Sequence, residues 1–459
     1  MSILTTLSNL FVINEEYAAG FSNPIIKTKM AIEQEHIQAV KAAFENMQSR
    51  SDFLKLLNDV KPLVYGTEVV PFELKQLSFY ANPNLAGKRY TDFPIRKKSG
   101  GTRIIHAPVS GLKSIQKVLS FILQCVFEPH EAAMGFVMGR SIVDNARIHQ
   151  GCNYVYNIDL KDFFPSINQA RVWACLKLEP FNLKGSAASD TPEDRDMSFL
   201  LVGQKPVQAR QQIANMIAAI CCTEMTVERQ DENGVWLKVQ ENVLPQGAPT
   251  SPIVTNIVCQ RLDRRLTGLA NRFGLRYSRY ADDITFSSRH NVYQKDGELL
   301  KELHRIIKDQ GFNINEKKTR LQKTGYRQEV TGLVVNEKVN VRKRYIKQLR
   351  QWLCYWERYG YEKAQTIFNE QYYDDKGYLL AGGLPSMRNV LRGKLEYIRM
   401  VKGQENTTYN QLRQRFEKLT ADVQTDNPVS QSREKELENI LNTLFDNGFD
   451  AAMEKYSMN

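Results

Sequence analysis

The stretch "YSRYADDITFSS", residues 277–288, sets the carboxylates of Asp282 and Asp283 side by side in a run of aromatic, β-branched and hydroxyl residues that otherwise reads as strand. Adjacent carboxylates repel and lose hydration when partly buried, so they add nothing to a strand's stability. A turn is the plain explanation, since Asp favours turn positions through side-chain to backbone hydrogen bonds. The other explanation is a metal site. A second acidic strand end stands at Asp159 and Asp162 in "NIDLKDFF". Residues 159 and 162 of one strand face opposite ways, and Asp159, at the C-terminal end of an apolar run, is the better ligand candidate. Two strand ends that each offer a carboxylate can hold two Mg²⁺ ions roughly 3.5 to 4 Å apart, the arrangement for in-line attack at phosphorus. Mg²⁺ accepts such incomplete oxygen cages when substrate phosphates complete its shell. Between the acidic segments lies "LPQGAPTSP", where Gly247 allows close backbone approach and Gln246 offers a planar amide. Upstream, Arg96, Lys97, Lys98 and Arg103 make a basic cluster that is either a solvated face or a phosphate-binding one.

The elements that must position these groups are legible from pattern. Residues 1 to about 60 carry one or two amphipathic helices, in "EQEHIQAVKAAFENMQSRSDFLKLLNDV". The basic cluster lies on a hairpin, "PIRKKSGGTRIIHAP", turning at Ser99-Gly100-Gly101, and a helix follows with Ser110 as its expected cap. "YVYNIDLKDFFPSI" reads as a strand stopped by Pro165, with a helix after it. "KGSAASDTPEDRD" reads as a solvated loop or insertion, "VQARQQIANMIAAICC" as a helix, and "MTVERQDENGVWLKVQ" as a hairpin around Asn233-Gly234. A helix is predicted from about 252 to 272, and helical pattern dominates after about 345. In "VRKRYIKQLRQWLCYWERYG" basic and aromatic residues interleave at helical spacing, the rings as core and the basic face free to lie along a phosphate backbone.

Composition sets outer bounds. At 459 residues the chain exceeds a single core, so two or three lobes are expected. With 62 Lys plus Arg against 51 Asp plus Glu the net charge is +11, which favours a polyanionic partner. Seven cysteines form no CxxC pair or Cys/His ligand spacing, as expected of reduced thiols. The N-terminus has no basic start before its short apolar run, and no stretch reaches the ~20 apolar residues of a membrane span. The expected location is the cytoplasm.

In their order, the basic hairpin, the Asp159 strand, the Gln-Gly loop and the Asp-Asp hairpin resemble the fingers and palm of a reverse transcriptase, over about residues 92 to 345. "RYADD" resembles that family's catalytic box, with Tyr280, Asp282 and Asp283 in its positions, and Asp159 matches the first palm aspartate. Phe164 stands where the family places an aromatic beneath the incoming sugar. "GFNINEKKT" resembles the motif that closes the palm, with Lys318 near the pyrophosphate, and "VTGLVVN", 330–336, the turn that grips the primer end. "NARIH", Asn145 to His149, and "VTG", 330–332, resemble two signatures of retron reverse transcriptases.

The resemblance implies an α+β right-hand polymerase: fingers and palm over 91–340 with an insertion at about 182–242, a helical thumb over 341–404, and helical extensions over 1–90 and 405–459. It implies an RNA-directed DNA polymerase with two Mg²⁺ ions on Asp159, Asp282 and Asp283. Lys318 joins the catalytic set, Lys97, Arg103, Phe164, Gln246 and Gly247 bind nucleotide, and Asn145, His149, Arg342 and Arg344 bind RNA. The implied partners are a structured noncoding RNA as template and primer, deoxynucleotides, the DNA product, an effector or toxin protein of an antiphage system, and further copies of the chain. The long N-terminal segment, the insertion and the residues after the thumb depart from compact retron enzymes and leave other cellular lineages, group II intron-like ones included, in play. An RNA-directed RNA polymerase shares the palm, but Phe164 opposes it, because a ribonucleotide site needs a polar group for the 2′-hydroxyl. A non-catalytic RNA-binding subunit is disfavoured by the three intact acidic positions.

Overall fold

The structure, a computed structural model, describes residues 34–66, 69–82, 89–96, 101–184, 209–230, 234–376 and 384–424. The chain divides into two compact units, Met1–Val339 and Asn340–Asn459.

The first unit opens with α1 (Gln34–Asn46), α2 (Arg50–Tyr65) and α3 (Leu74–Tyr80). The start of α2 is fixed by a reciprocal Ser49/Asp52 capping box, which satisfies two otherwise orphaned backbone donors. Strands β1 (Tyr90–Arg96) and β2 (Thr102–Pro108) form the expected antiparallel hairpin, paired from Tyr90↔Pro108 to Arg96↔Thr102. Lys97, Lys98 and the expected turn from Ser99 lie largely outside the described residues. Helix α4 (Ser110–Val126) starts at Ser110 itself, with Val109 in the capping position and no side-chain cap; Ser110 therefore does not cap it. Helix α5 (Ile142–Ile148) precedes the central strand β3 (Tyr154–Lys161), and α6 (Gln169–Leu176) follows it.

Next come α7 (Ala209–Cys221) and a hairpin of β4 (Thr223–Gln230) and β5 (Trp236–Val243). These elements fall in the stretch expected as an insertion, yet Ile213, Ile217 and Ile220 of α7 are fully buried. Helix α8 (Ser251–Arg272), with Pro252 in its first turn where a missing N–H costs nothing, leads to β6 (Arg276–Tyr280) and β7 (Asp283–Ser288). The unit continues through α9 (Glu298–Asp309), β8 (Asn313–Ile314), β9 (Arg320–Lys323), β10 (Glu329–Val330) and β11 (Leu333–Val334).

The five-stranded sheet has the order β6-β7-β3-β8, with β9 also paired to β3. Strand β3 thus has β7 on one edge and both β9 and β8 on the other. Its apolar residues Val155, Ile158 and Leu160 are buried, while Asp159 is only partly covered. Being central, β3 has no free edge, so its acidic end is held in place from both sides.

In the second unit, α10 (Lys343–Tyr359), α11 (Tyr361–Lys376), α12 (Met387–Lys402) and α13 (Thr407–Gln424) pack together. Leu349, Trp352, Leu353 and Trp356 of α10, at i, i+3, i+4 and i+7, form its buried stripe. Trp352 meets the Phe368 ring edge-on at 5.0 Å, and Trp356 meets Phe416 at 5.9 Å. The helix expected over "SREKELENILNTLFDNGFDAAMEKY" lies outside the described residues. No helix among the described residues is long and apolar enough to cross a membrane.

Candidate active site

Strands β6 and β7 are joined by two residues, Ala281 and Asp282, and Ala281 takes a left-handed φ of 56°. The tight connection puts Asp282 at the tip and Asp283 on the first rung of β7, directly opposite Asp159 of β3. Leu160 N–H donates to the Asp282 carbonyl at 3.1 Å, which ties the tip to the central strand. Cross-strand partners share a face, so the three carboxyl groups crowd together. Burial and Asp159 push the Asp282 carboxyl up to about 6; burial, Asp282 and Asp159 push that of Asp283 up to about 8. A protein gains nothing from such crowding unless a cation relieves it, and an all-oxygen donor set at one cleft end fits a divalent ion.

Lys318 pairs directly with one of these acids, its Nζ donating to the Asp159 oxygens at 2.9 and 3.0 Å. Asn315 holds the same carboxylate, its side-chain amide donating at 2.9 Å and its backbone N–H reaching the Asp159 carbonyl at 2.7 Å. Among the described residues no group of three or more acidic, His or Cys side chains is placed to hold a metal ion by protein groups alone. An open set is what a site completed by substrate phosphates requires.

Asp159, Asp282, Asn315 and Lys318 line a cleft of about 820 Å³, whose walls include Arg103 and His106 of β2, Thr226 of β4, Gln240 of β5, and Gln246. Gly247 is held at φ +128°, and a Cβ there would lie 2.6 Å from the His106 carbonyl oxygen. His106 N–H donates to the Gln246 carbonyl at 2.9 Å, so the Gln-Gly loop docks on β2 at a distance only glycine permits. The two phenylalanines after β3 diverge. Phe163 stacks on Phe312 at 5.6 Å, whereas Phe164 leans toward Phe136 at 6.3 Å, and both reach the cleft wall. Asp162 turns at φ 46° and lines the cleft as well.

Two expected RNA contacts are corrected. His149 is fully buried, its Nδ1 2.8 Å from Ser287 Oγ and its Nε2 2.7 Å from Ser278 Oγ. Ser278 Oγ donates to Asn145 Oδ1 at 2.6 Å. With both ring nitrogens engaged and burial pushing its pKa down to about 3, the imidazole is neutral and out of reach of any RNA. Asn145 is likewise buried, and its amide points to Thr331 Oγ1 at 3.5 Å. Thr331 also donates to the Ile142 carbonyl at 3.3 Å. The "NARIH" and "VTG" segments are therefore parts of one polar junction, joining α5 to β6, β7 and the β10–β11 turn. Of the other expected residues, Lys97 lies outside the described ones, and Arg342 and Arg344 belong to the second unit, at the start of α10. Sequence reasoning missed Asn315, the His106 to Asp92 pair at 2.5 Å in the cleft wall, and the contribution of β4 and β5. A polar residue three before Lys318 was the signal available for Asn315.

A family profile described as reverse transcriptase (RNA-dependent DNA polymerase) matches residues 95–341, more than half of the chain. The chain belongs to the reverse transcriptase family. Retron reverse transcriptases are among its relatives. It is 34% identical over 300 residues to the Retron Mx162 reverse transcriptase of Myxococcus xanthus, covering 63% of this chain and 56% of that one. It is 36% identical over 268 residues to the Retron Mx65 reverse transcriptase of the same organism, covering 58% and 56%. To the Retron Ec83 reverse transcriptase of Escherichia coli it is 30% identical, covering 57% and 74%. The match thus spans little more than half the length of the two Myxococcus enzymes. Reverse transcriptases use divalent metal ions, and the carboxylates of Asp159, Asp282 and Asp283 are the oxygen donors here that could hold one together with substrate.

Proposed function

We propose that the chain is an RNA-directed DNA polymerase that copies a structured noncoding RNA into DNA, as part of a retron-type antiphage system with an effector protein partner. The observation that carries this reading is the pairing of Asp159 with Asp283 across β3 and β7, with Asp282 beside them at the end of a cleft walled by Phe164 and Arg103. Residues 91–340 serve as fingers and palm, 341–404 as thumb, with extensions on either side. Asp159, Asp282 and Asp283 would hold two Mg²⁺ ions, which when bound polarise the attacking primer hydroxyl and steady the leaving pyrophosphate.

The protein's own groups do the rest. Arg103, with Lys97 on the same basic segment, attracts the triphosphate, and Lys318 supplies positive charge at the leaving-group side. Gln246 and Gly247 shape the pocket for the template base and the nucleotide, Phe164 limits room at C2′ of the sugar, and Arg344 with its basic neighbours holds the RNA backbone.

Primer extension on an RNA template, run with deoxynucleotides and separately with ribonucleotides, tests the reading. The Asp282→Asn/Asp283→Asn variant is expected to lose DNA synthesis by several orders of magnitude, since each ~1.4 kcal/mol of lost transition-state stabilisation is tenfold in rate, while RNA binding stays near that of the parent. More than a few per cent residual synthesis in that variant would remove these carboxylates from the mechanism. Sequencing the nucleic acid that copurifies with the chain identifies template and product.

A further inference from the structure

Arg279, the residue before Tyr280, is fully buried on a palm strand, where a solvated strand face would be expected for arginine. Its guanidinium grips Asp263 of α8 with a fork, Nε to Oδ1 at 2.8 Å and Nη2 to Oδ2 at 2.6 Å, and Tyr277 donates to the same carboxylate at 2.7 Å. Burial disfavours the charge, but Asp263 more than offsets this and holds the guanidinium protonated. A buried pair of this kind adds little net stability over an apolar substitute, so its positioning is the part to explain.

The fork has two further contacts. Nη1 donates to the carbonyl of Ala281, the left-handed residue of the two-residue turn that carries Asp282, at 3.3 Å. Nη2 also donates to Asn256 Oδ1 at 3.1 Å, and the Asn256 amide donates onward to the carbonyls of Gly135 and Phe136 at 3.0 and 3.4 Å. Gly135 presses on the same turn from the other side, since a Cβ there would lie 2.6 Å from Ala281 N. Phe136 is itself left-handed, at φ 61°, and its ring is the neighbour of Phe164. Two strained residues, one in the acidic turn and one behind the ring wall, are thus held by one fully buried side-chain cluster.

We propose that Asn256 and the Asp263–Arg279 pair form a positioning device of the nucleotide site, locking the Ala281–Asp282 turn to the Gly135–Phe136 turn and so setting the clearance between Phe164 and the incoming sugar. None of the three touches the substrate. This rests on the polymerase reading above, and it goes further by placing part of the sugar selection outside the cleft.

The test uses the full-length chain with Asn256→Leu, which removes the bridge and keeps the ion pair, and Gly135→Ala, which forces the two turns apart from the opposite side. Folding is checked by thermal unfolding, and the readout is the ratio of deoxynucleotide to ribonucleotide incorporation. Both variants are expected to lower that ratio fivefold or more. A merely structural role would lower melting temperature and total yield with the ratio unchanged. If Asn256→Leu does not fold, Gly135→Ala decides alone. A parent that extends no primer with either sugar overturns the polymerase reading and this inference together; an active parent whose folded variants keep its ratio overturns this inference alone.

Discussion

At the scale of single residues, the acidic cluster has a consequence that needs no substrate. Asp283 is held up to about 8 and Asp282 up to about 6 in the fold, while both carboxyls sit near 3.8 when unperturbed. The folded chain therefore binds more protons than the unfolded chain between about pH 4 and 8, so stability present at low pH is lost as pH rises through that window. Thermal melts in EDTA are expected to show the parent falling relative to Asp283→Asn from pH 5 to pH 8, with added Mg²⁺ narrowing the gap at pH 8. Parallel curves would contradict the crowding. The two phenylalanines yield a second prediction. Phe164 leans toward Phe136 and Phe163 into the Phe312 stack, and the proposed reading puts the incoming sugar against Phe164. A steric clash with a 2′-hydroxyl, on the ~1 to 3 kcal/mol scale of overpacking, corresponds to roughly five- to 150-fold discrimination. Phe164→Ala should relax ribonucleotide exclusion in primer extension within that range, and Phe163→Ala should lower the melting temperature with little effect on selection. The reverse result would exchange the roles of the two rings. Residue types in order made Asp159, Asp282, Asp283 and Phe164 candidates from sequence, and the fold pairs Asp159 with Asp283 and lines one cleft with Asp159, Asp282 and Phe164. Arg279 and Asn256 were not, because a buried arginine on a strand and an asparagine inside a helix carry no pattern until the fold shows what each faces.

Among the elements, hairpins and amphipathic helices were readable because turn residues and apolar spacing encode them locally. The β1–β2 and β4–β5 hairpins, α8 and the buried stripe of α10 all follow from such cues. What failed was the meaning of short polar signatures. The "NARIH" residues looked available for RNA, yet α5 turns Asn145 and His149 inward, where Ser278, Ser287 and Thr331 satisfy them. Side-chain networks between distant elements have no sequence period, so their partners cannot be assigned from spacing. The physical consequence is testable. A neutral buried His149 held to about 3 refuses a proton that the unfolded chain accepts near 6.5, so stability is present above that value and falls as pH drops below it. Removing the ring also takes one partner from each of Ser278 and Ser287, although Ser278 keeps its bond to Asn145 Oδ1, at a cost of about 1 to 3 kcal/mol for a buried group left unpaired. His149→Ala is expected to lower unfolding free energy by about 2 to 4 kcal/mol at pH 7.5, to weaken the acid dependence below pH 6.5, and to leave RNA affinity unchanged in the folded fraction. Loss of RNA affinity without loss of stability would return His149 to the RNA-binding set.

At the scale of the whole molecule, the net charge is +11, and one basic face is visible among the described residues. On α10, Lys343, Arg344, Lys347 and Arg350 are exposed, and they lie on the side of the helix away from Leu349, Trp352, Leu353 and Trp356. The sequence already suggested this division, because rings at helical spacing must be buried while long cationic side chains keep their heads in water. A basic face of this kind binds phosphates by releasing counterions, a contribution that depends on salt and not on base sequence. Replacing Lys343, Lys347 and Arg350 together by Ala leaves the buried stripe intact, so the helix should still fold. If each of the three meets one phosphate, the slope of log affinity against log salt should flatten by about 2 to 3, using ~0.7 to 0.9 per contact. Affinity for a structured RNA should then drop most at low salt and converge with the parent at high salt, while extension from saturating primer-template proceeds at near the parental rate. Filter binding across a salt series measures the slope. An unchanged slope would mean that this face contacts protein or solvent, and the RNA path would have to be sought on the first unit. A flattened slope accompanied by a lost extension rate would instead mean that α10 also orients the primer end.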